Sequence, residues 1–464
     1  MDDYEVLVIG AGPGGYVAAI RAAQLGMKAA VVERAELGGV CLNWGCLPTK
    51  TLLRSADILR LAREGAVYGL LLDSPPRFDL AAAVRRSREV AGQLNRGVRA
   101  LLKKNRVAVL NGHARLLGQG RVAVESGGDV RHLQARHVIL ATGARPRVLA
   151  GFEPDGERIW TAREAMTPGA LPRTLVVIGA GAIGVEFASF YATAGSQVTL
   201  IEAAGRILPV EDEEISELLV QRLRKQGIAI HTGAQVEGQK AGDGGLMVSF
   251  RQGGEPRTVE AERVIMAVGI VGNVEDLGLE NTRVRVERNH IRVDAWCATD
   301  EPGVYAIGDV AGPPWLAHKA SHEGVICVER IAGLAEAHPL DPHSVPGCTY
   351  CHPQVASVGL TEAQARAGSY EVGVGRFPFV GNGKALALGE PEGLVKTVFD
   401  RRTGELLGAH LIGPEVTELI GAYALARTLE TTELELTRTV FPHPTLSEAL
   451  HESVLAAFGR VVHV

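Results

Sequence analysis

A strand, glycine turn and helix that occur twice constrain this chain more than anything else in it. Glu5-Val-Leu-Val-Ile9 reads as a short buried strand, Gly10-Ala-Gly-Pro-Gly-Gly15 follows it, and an alanine-rich helical stretch runs through Leu25. In such a turn Gly10 permits the tight reversal, Gly12 lets the backbone approach a pyrophosphate, and Gly15 lets helix pack on strand, with the phosphate at the positive helix end. A second apolar strand, Ala29-Ala-Val-Val32, ends in Glu33, where an acid accepts hydrogen bonds from ribose hydroxyls. The pattern returns as Leu175-Val-Val-Ile178, Gly179-Ala-Gly-Ala-Ile-Gly184, a helical run through Tyr191, and Gln197-Val-Thr-Leu-Ile201 closing on Glu202, with the same interval from first glycine to acid. Two complete fingerprints imply two dinucleotides and an electron relay between them. Glu202 repels a ribose 2′-phosphate, and Ala203 and Ala204 follow it, so NAD is expected over NADP.

At 464 residues the chain exceeds what one core usually supports, so three or four domains are expected, and 46% hydrophobic residues can fill them. A net charge of −5 gives no basic footprint for nucleic acid. No apolar run is long enough to span a bilayer, and Asp2 and Asp3 stand where a signal peptide carries positive charge, so a cytoplasmic protein is expected. Six cysteines are too few for a secreted disulfide scaffold.

Cys41-Leu-Asn-Trp-Gly-Cys46 lies just after the first fingerprint. The thiolate is the nucleophile of disulfide exchange, and these two cysteines sit where a helix starts, near enough along it to share a face, with Gly45 and Pro48 shaping the turn. Exchange with a dithiol also needs a base that takes a proton and returns it, which suits histidine. His443, between Pro442 and Pro444, is a candidate, and Glu448, at the start of an apparent helix, is placed to fix its tautomer.

The expected domains are 1–147, 148–273, 274–343 and 344–464. An amphipathic helix is expected from Asp79 to Lys104, with Leu80, Val84, Val90, Leu94, Val98 and Leu101 on its apolar face. The acidic run Glu211-Asp-Glu-Glu214 reads as a helix start. Residues 303–310 read as an apolar strand ending at an acid, and strands are expected at 394–399 and 406–412. Cys297 and Cys327 read as core residues, and Trp44 as packing. Cys348 and Cys351, with His343 and His352 nearby, lack the second clear ligand pair of a structural zinc site, so no metal is expected.

Together these residues resemble the pyridine nucleotide-disulfide oxidoreductase family over nearly the whole chain. Gly38-Gly-Val-Cys-Leu-Asn-Trp-Gly-Cys-Leu-Pro-Thr-Lys50 resembles its redox segment, Ala141-Thr-Gly-Ala144 the closure of its flavin domain, and Ala306-Ile-Gly-Asp309 its flavin ribityl contact. Leu316-Ala-His-Lys-Ala320 and Phe441-Pro-His-Pro-Thr-Leu-Ser-Glu448 resemble its dihydrolipoamide-oxidising branch. The resemblance implies an α/β fold with two Rossmann-like dinucleotide-binding domains, a central domain packing with the FAD domain, and a C-terminal α+β interface domain forming a homodimer. It implies a Cys41–Cys46 redox disulfide in which Cys41 attacks substrate sulfur and Cys46 contacts the flavin. Lys50 then lies near the flavin ring, and His443 serves the cysteines of the other subunit. FAD contacts are implied at Gly10, Gly12, Gly14, Gly15, Glu33, Arg34, Gly39, Val40, Cys41, Lys50, Ala114, Thr142, Gly143, Asp309, Ala317 and His318. NAD contacts are implied at Gly179, Gly181, Ile183, Gly184, Glu186, Glu202, Val236 and Gly269.

The implied partner is a lipoyl-bearing acyltransferase of a 2-oxoacid dehydrogenase complex or a glycine-cleavage lipoyl protein, with the lipoyl group expected on that partner. The chain departs from the family at Gly269-Ile-Val-Gly-Asn273, where relatives often carry arginine and proline, and at Val40 and Trp44. A reductase of another disulfide would keep the same cysteines but favour basic residues after position 202, where only Arg206 comes near. A complex-organising subunit would not need the cysteines and His443 together.

Overall fold

The computed structural model describes residues 2–463, and the chain forms two compact units. The first contains the chain up to Leu52, Ala81–Arg147 and Gly269–Leu340; the second contains Leu53–Leu80, Val148–Val268 and the chain from Asp341 onward.

In the first unit β1 (Asp2–Ile9) is fully buried from Val6 to Ile9, the continuous apolar run that a parallel strand covered on both faces requires. It lies parallel between β2 (Ala29–Glu33) and the second half of β6 (Asp129–Leu140), with β3 (Ala108–Asn111) beyond β2. The first half of β6 instead forms an antiparallel meander with β4 (His113–Gly118) and β5 (Arg121–Ser126). β19 (Val304–Ala306) joins β6 in parallel, so that Ala306, Leu140 and Ile9 stand in one row. Three segments distant in sequence therefore leave the sheet at one carboxyl-terminal edge, where ligands of open α/β sheets bind. The expected strand 303–310 is cut short at Ala306, and Asp309 lies in the 3₁₀ turn Gly308–Ala311 that follows. A short pair, β7 (Ala144–Pro146) with β16 (Ile270–Gly272), and a hairpin, β17 (Val286–Glu287) with β18 (His290–Ile291), complete the strands of this unit.

Helices α1 (Pro13–Gln24) and α8 (Ala317–Ala332) cross tightly because both are glycine at the crossing. A Cβ on Gly14 would lie 2.8 Å from the Ala320 carbonyl oxygen, and one on Gly324 would lie 2.7 Å from that of Gly14. The cysteine segment forms α2 (Gly39–Trp44) and opens α3 (Cys46–Arg63). Over it lies α4 (Leu80–Lys104), whose buried face matches the expected stripe in part: Val98 is buried and Leu94 packs against the same core, but the other buried positions are Ala83, Ser87, Ala91 and Leu102, and Leu101 is 46% exposed. Small side chains win there because they let α4 approach close enough for Asn95 Nδ2 to donate to the Leu37 carbonyl (2.8 Å) and Arg88 to that of Asn43 (2.5 Å).

The second unit repeats the parallel plan. Its sheet runs β11 (Ala229–His231), β10 (Gln197–Ile201), β9 (Thr174–Ile178), β15 (Arg263–Met266) and β8 (Ile159–Trp160), all parallel. A capping box between Thr161 and Glu164 starts α5 (Ala162–Ala165), and α6 (Ala182–Ala194) and α7 (Glu213–Lys225) are its longer helices. An antiparallel meander, β12 (Ala234–Ala241), β13 (Leu246–Gln252) and β14 (Glu255–Ala261), is inserted before β15.

The C-terminal part is an antiparallel sheet ordered β20 (Gly347–Thr349), β21 (Gln354–Gly359), β24 (Leu406–Gly413), β23 (Leu394–Asp400), β22 (Val372–Pro378). Helices α9 (Glu362–Ala367), α10 (Gly383–Ala387), α11 (Val416–Thr428), α12 (Glu433–Arg438) and α13 (Glu448–Ala457) complete it. Its core joins Phe377, Phe399 and Leu411 of the sheet to Tyr423 of α11 and Leu450 of α13.

The acidic run caps α7 as expected, Asp212 accepting from the Glu214 N–H at 3.1 Å. It also does something unexpected. Lys396, 3% exposed on β23, is held by Asp212 (2.8 Å), Glu214 (3.0 Å) and Glu362 of α9 (2.9 Å), and Arg376 on the neighbouring strand pairs with Glu214 and Glu362. No helix among the described residues is long and apolar enough to cross a membrane.

Candidate active site

Gly38 and Gly39 both adopt left-handed backbone (φ 90° and 60°), and the Gly38 N–H donates to the Ala11 carbonyl at 2.8 Å. A Cβ on Gly39 would stand 2.7 Å from Gly12 Cα, so the cysteine segment is laid directly on the first glycine turn. Gly45 then separates α2 from α3 without a side chain; its Cβ would lie 3.0 Å from the Val40 carbonyl and 3.3 Å from Cys41 Cα. With that space closed, the Cys41 and Cys46 thiols meet in a hydrogen bond. That bond and burial push the Cys41 thiol far above the ordinary cysteine range, the Lys50 charge opposing them. Trp44 packs as expected: its indole donates to Glu36 (2.9 Å), and the Arg88 guanidinium lies 4.3 Å from its ring. Val40 is 59% exposed.

The two acids expected at ribose positions behave alike. Glu33 accepts from the Ala11 N–H (2.7 Å) and the Ala35 N–H (2.8 Å); Glu202 accepts from those of Ala180 (2.6 Å) and Ala204 (2.7 Å). Each carboxylate thereby ties its strand end to its own glycine turn. Gly15 and Gly184 are glycine because a Cβ would strike the carbonyls of Gly10 and Gly179. Gly181 is different: a Cβ there would meet no protein atom within 4 Å, so the protein's own packing does not require glycine. Ile183 is exposed beside it, and Arg34 is exposed beyond Glu33. Gly14 has a packing explanation in the α1–α8 crossing. Arg206 is engaged with Glu213 (3.9 Å) and the Pro209 carbonyl (3.2 Å).

Thr142 and Gly143 are bound to the departing segment: Thr142 Oγ1 donates to the Asn273 carbonyl (2.8 Å), and the Asn273 N–H donates to that of Gly143 (2.9 Å). Gly269, left-handed at φ 100°, accepts from the Arg147 N–H, so residues 269–273 close the first unit. Ala114 is buried on β4, and Val236 is half-buried at a bulge in β12. Glu186 is buried in α6 and accepts from the Tyr350 N–H at 3.0 Å. Ala317 and His318 open α8, His318 exposed.

Sequence reasoning missed Lys319 and Glu323. Glu323 accepts from the Gly308 N–H (2.7 Å) and pairs with Lys319 (2.9 Å), whose Nζ donates to the Gly312 carbonyl (2.9 Å). Both ends of the turn carrying Asp309 are thus stapled to one face of α8, and burial pushes the Asp309 carboxyl upward. Their separation by four residues on a helix was the available signal.

His443 is exposed, and its Nδ1 lies 2.9 Å from Glu448 Oε1; Glu448 Oε2 accepts from the Thr445 N–H at 2.9 Å. Burial opposes ionisation of Glu448, but the bonds from Thr445 and His443 hold it below the usual carboxylate range. The cysteines belong to the first unit and His443 and Glu448 to the second. Cys351 is buried and its thiol donates to the Pro353 carbonyl (3.1 Å), and His343 follows the cap Asp341. Among the described residues no three His, Cys, Asp or Glu are gathered for a metal. Cys297 and Cys327 are buried.

A family model for pyridine nucleotide-disulphide oxidoreductases matches residues 4–324, and the model of that family's dimerisation domain matches residues 345–454. This chain belongs to that family. It is 52% identical over its full length to the dihydrolipoyl dehydrogenase of Rhizobium etli, covering 99% of it, and 45% identical over 99% of both chains to that of Bacillus subtilis. Among solved family structures, LpdA from Mycobacterium tuberculosis superposes with a TM-score of 0.91 at 28% identity, over 98% of this chain and 99% of the other. The HOCl-induced flavoprotein disulfide reductase RclA from Escherichia coli gives 0.86 at 26% identity in its Cu(II) complex, again over 98% and 99%.

Proposed function

We infer that the chain oxidises protein-bound dihydrolipoyl groups to lipoyl groups, with Cys41 and Cys46 as the sulfur relay, FAD in the first glycine cradle and NAD in the second. The contact between the two thiols, on a segment that Gly39 lays against Gly12 of the first turn, carries this reading. In the proposed cycle a substrate thiol gives its proton to His443 and attacks Cys41 Sγ of the oxidised pair. The Cys41–Cys46 bond breaks, Cys46 leaves as thiolate, and substrate and Cys41 are joined. The second substrate thiol then attacks the joined substrate sulfur, expelling Cys41, which takes up a proton from His443. The substrate leaves as disulfide, the enzyme keeps two more electrons, and one proton goes to solvent. A bound FAD would supply the two-electron acceptor for the sulfur pair and the hydride donor for NAD. Gly10, Gly12, Glu33 and Asp309 would hold the flavin nucleotide; Gly179, Gly181 and Glu202 would hold NAD. Glu448 orients the imidazole through Nδ1 and leaves Nε2 for the proton.

NAD is favoured because Glu202 presents a carboxylate and Arg206 is turned to Glu213. We place His443 in the site of the other subunit of a homodimer, and take the partner to be a lipoyl-bearing acyltransferase or glycine-cleavage lipoyl protein in the cytoplasm. Steady-state oxidation of dihydrolipoamide tests the reading. Turnover with NAD should exceed that with NADP, and Cys46→Ser should lose it about 1,000-fold or more while NADH oxidation by a one-electron dye survives. Unchanged dihydrolipoamide turnover in Cys46→Ser would overturn it.

A further inference from the structure

Three side chains near the start of helix α8 reach back to the turns that leave the sheet of the first unit. Ser321 Oγ lies 3.3 Å from the Pro13 carbonyl of the first glycine turn. Glu323 accepts from the Gly308 N–H at 2.7 Å, and Lys319 Nζ donates to the Gly312 carbonyl at 2.9 Å, so these two grip both ends of the turn that carries Asp309. Gly308 and Gly312, both left-handed at φ 74° and 112°, bracket that turn with the backbone of greatest conformational freedom. The lysine and glutamate meet at 2.9 Å with side chains 8% and 12% exposed. Withdrawing two charges from water costs stability that a well-packed apolar pair at the same positions would not. Packing of α8 alone therefore gives no reason for them, whereas the turn does.

We propose that Lys319 and Glu323 are positioning residues for the flavin: by fixing Gly308 and Gly312 they hold Asp309 in place for the ribityl chain, and FAD affinity depends on them through that turn. The proposal rests on the reading of Asp309 as a flavin contact. Arg21 of α1 supplies a control, because it pairs at 2.6 Å with Glu329, toward the other end of α8, and so secures the same helix away from the turn.

The test uses the FAD-loaded dimer. Flavin released on serial dilution, read by its fluorescence, gives the dissociation constant, and the visible circular dichroism of the bound flavin reports its placement. Lys319→Met and Glu323→Gln should each raise the FAD dissociation constant about 10-fold or more, the worth of one hydrogen bond to a charged group, and should change the dichroism. The double variant Lys319→Met/Glu323→Leu leaves neither charge buried without its partner, so it should fold as wild type does and still show both effects. Arg21→Gln should keep the dissociation constant within about two-fold of wild type, with the dichroism unchanged. A wild-type constant in the double variant would overturn the proposal. So would an Arg21→Gln enzyme that sheds flavin as readily, since loosening of α8 at large would then suffice. Asp309→Asn separates the proposal from the reading beneath it. If Asp309→Asn holds FAD as wild type does, Asp309 is no flavin contact and both fall; if it loosens FAD while the Lys319 and Glu323 variants do not, the proposal falls and the contact stands.

Discussion

Two cysteines on adjoining helices touch because one residue between them has no side chain. Gly45 lies against the Val40 carbonyl and Cys41 Cα, and a methyl there asks the α2 backbone to give by a few tenths of an ångström. Because the neighbouring backbone must give by a few tenths of an ångström, Gly45→Ala is expected to slow dihydrolipoamide oxidation by up to about 10-fold, with dye-coupled NADH oxidation largely kept. Equal loss of both activities would contradict the geometry. Glu448→Gln should lower kcat about 10–100-fold, because it keeps the bond to Nδ1 but gives up the charge that supports imidazolium; kcat unchanged across the pH range would rule that role out. At this scale the sequence was most readable. Spacing alone marked both glycine turns and both acids, since a turn that must approach a pyrophosphate tolerates few residue types. His443 was readable only through its motif, because one loop histidine resembles another. Gly14 carried a second reason that the turn did not announce: α8, which lies some 300 residues away in sequence, packs against it.

Elements are positioned by contacts that no local pattern announces. The α1–α8 crossing requires Gly324, whose Cβ would stand 2.7 Å from the Gly14 carbonyl; Gly324→Ala should cost about 1–3 kcal/mol in chemical unfolding through overpacking. A wild-type unfolding midpoint would show that the helices can move apart freely. The Lys319–Glu323 staple, closing on the Asp309 turn, joins helix to turn within the first unit in the same way. The acidic run shows the limit of sequence reading at this scale. A helix start explains its position, but its partner Lys396 is 184 residues away, and only the register of β22, β23 and β24 aligns Arg376 and Lys396 in one row. The α4 stripe was legible only in part, for a related reason. Periodicity marks large apolar residues, whereas Ala83, Ser87 and Ala91, too small to stand out in it, make up much of the buried face.

Across the whole molecule, stability should be lost on the acid side in two steps. Burial, then the Arg60 charge, hold His352 at about 4 against a usual 6.5. The unfolded chain binds that proton first, so folding stability falls as pH drops from 6.5 to about 4, by up to roughly 1.4 kcal/mol per unit for this one group. Burial raises Glu362, but hydrogen bonds from Lys396 and Arg366 outweigh it and hold the carboxyl at about 2, so its contribution persists above 4.5 and is lost as pH falls from there toward 2. Thermal midpoints recorded between neutral pH and pH 4 should fall less steeply in His352→Asn than in wild type, and parallel curves would refute the assignment. The duplicated nucleotide fold was legible along the whole chain, whereas the pairing of β19 with β6 was not, because a three-residue strand carries almost no periodicity of its own. The central claim is that sulfur, flavin and nicotinamide form one relay. Anaerobic addition of dihydrolipoamide to the FAD-loaded dimer, followed by NAD, tests it most directly. A long-wavelength thiolate-to-flavin absorption that appears with the dithiol and is discharged by NAD is the predicted result; a spectrum that dihydrolipoamide leaves unchanged while NADH bleaches the flavin would contradict it.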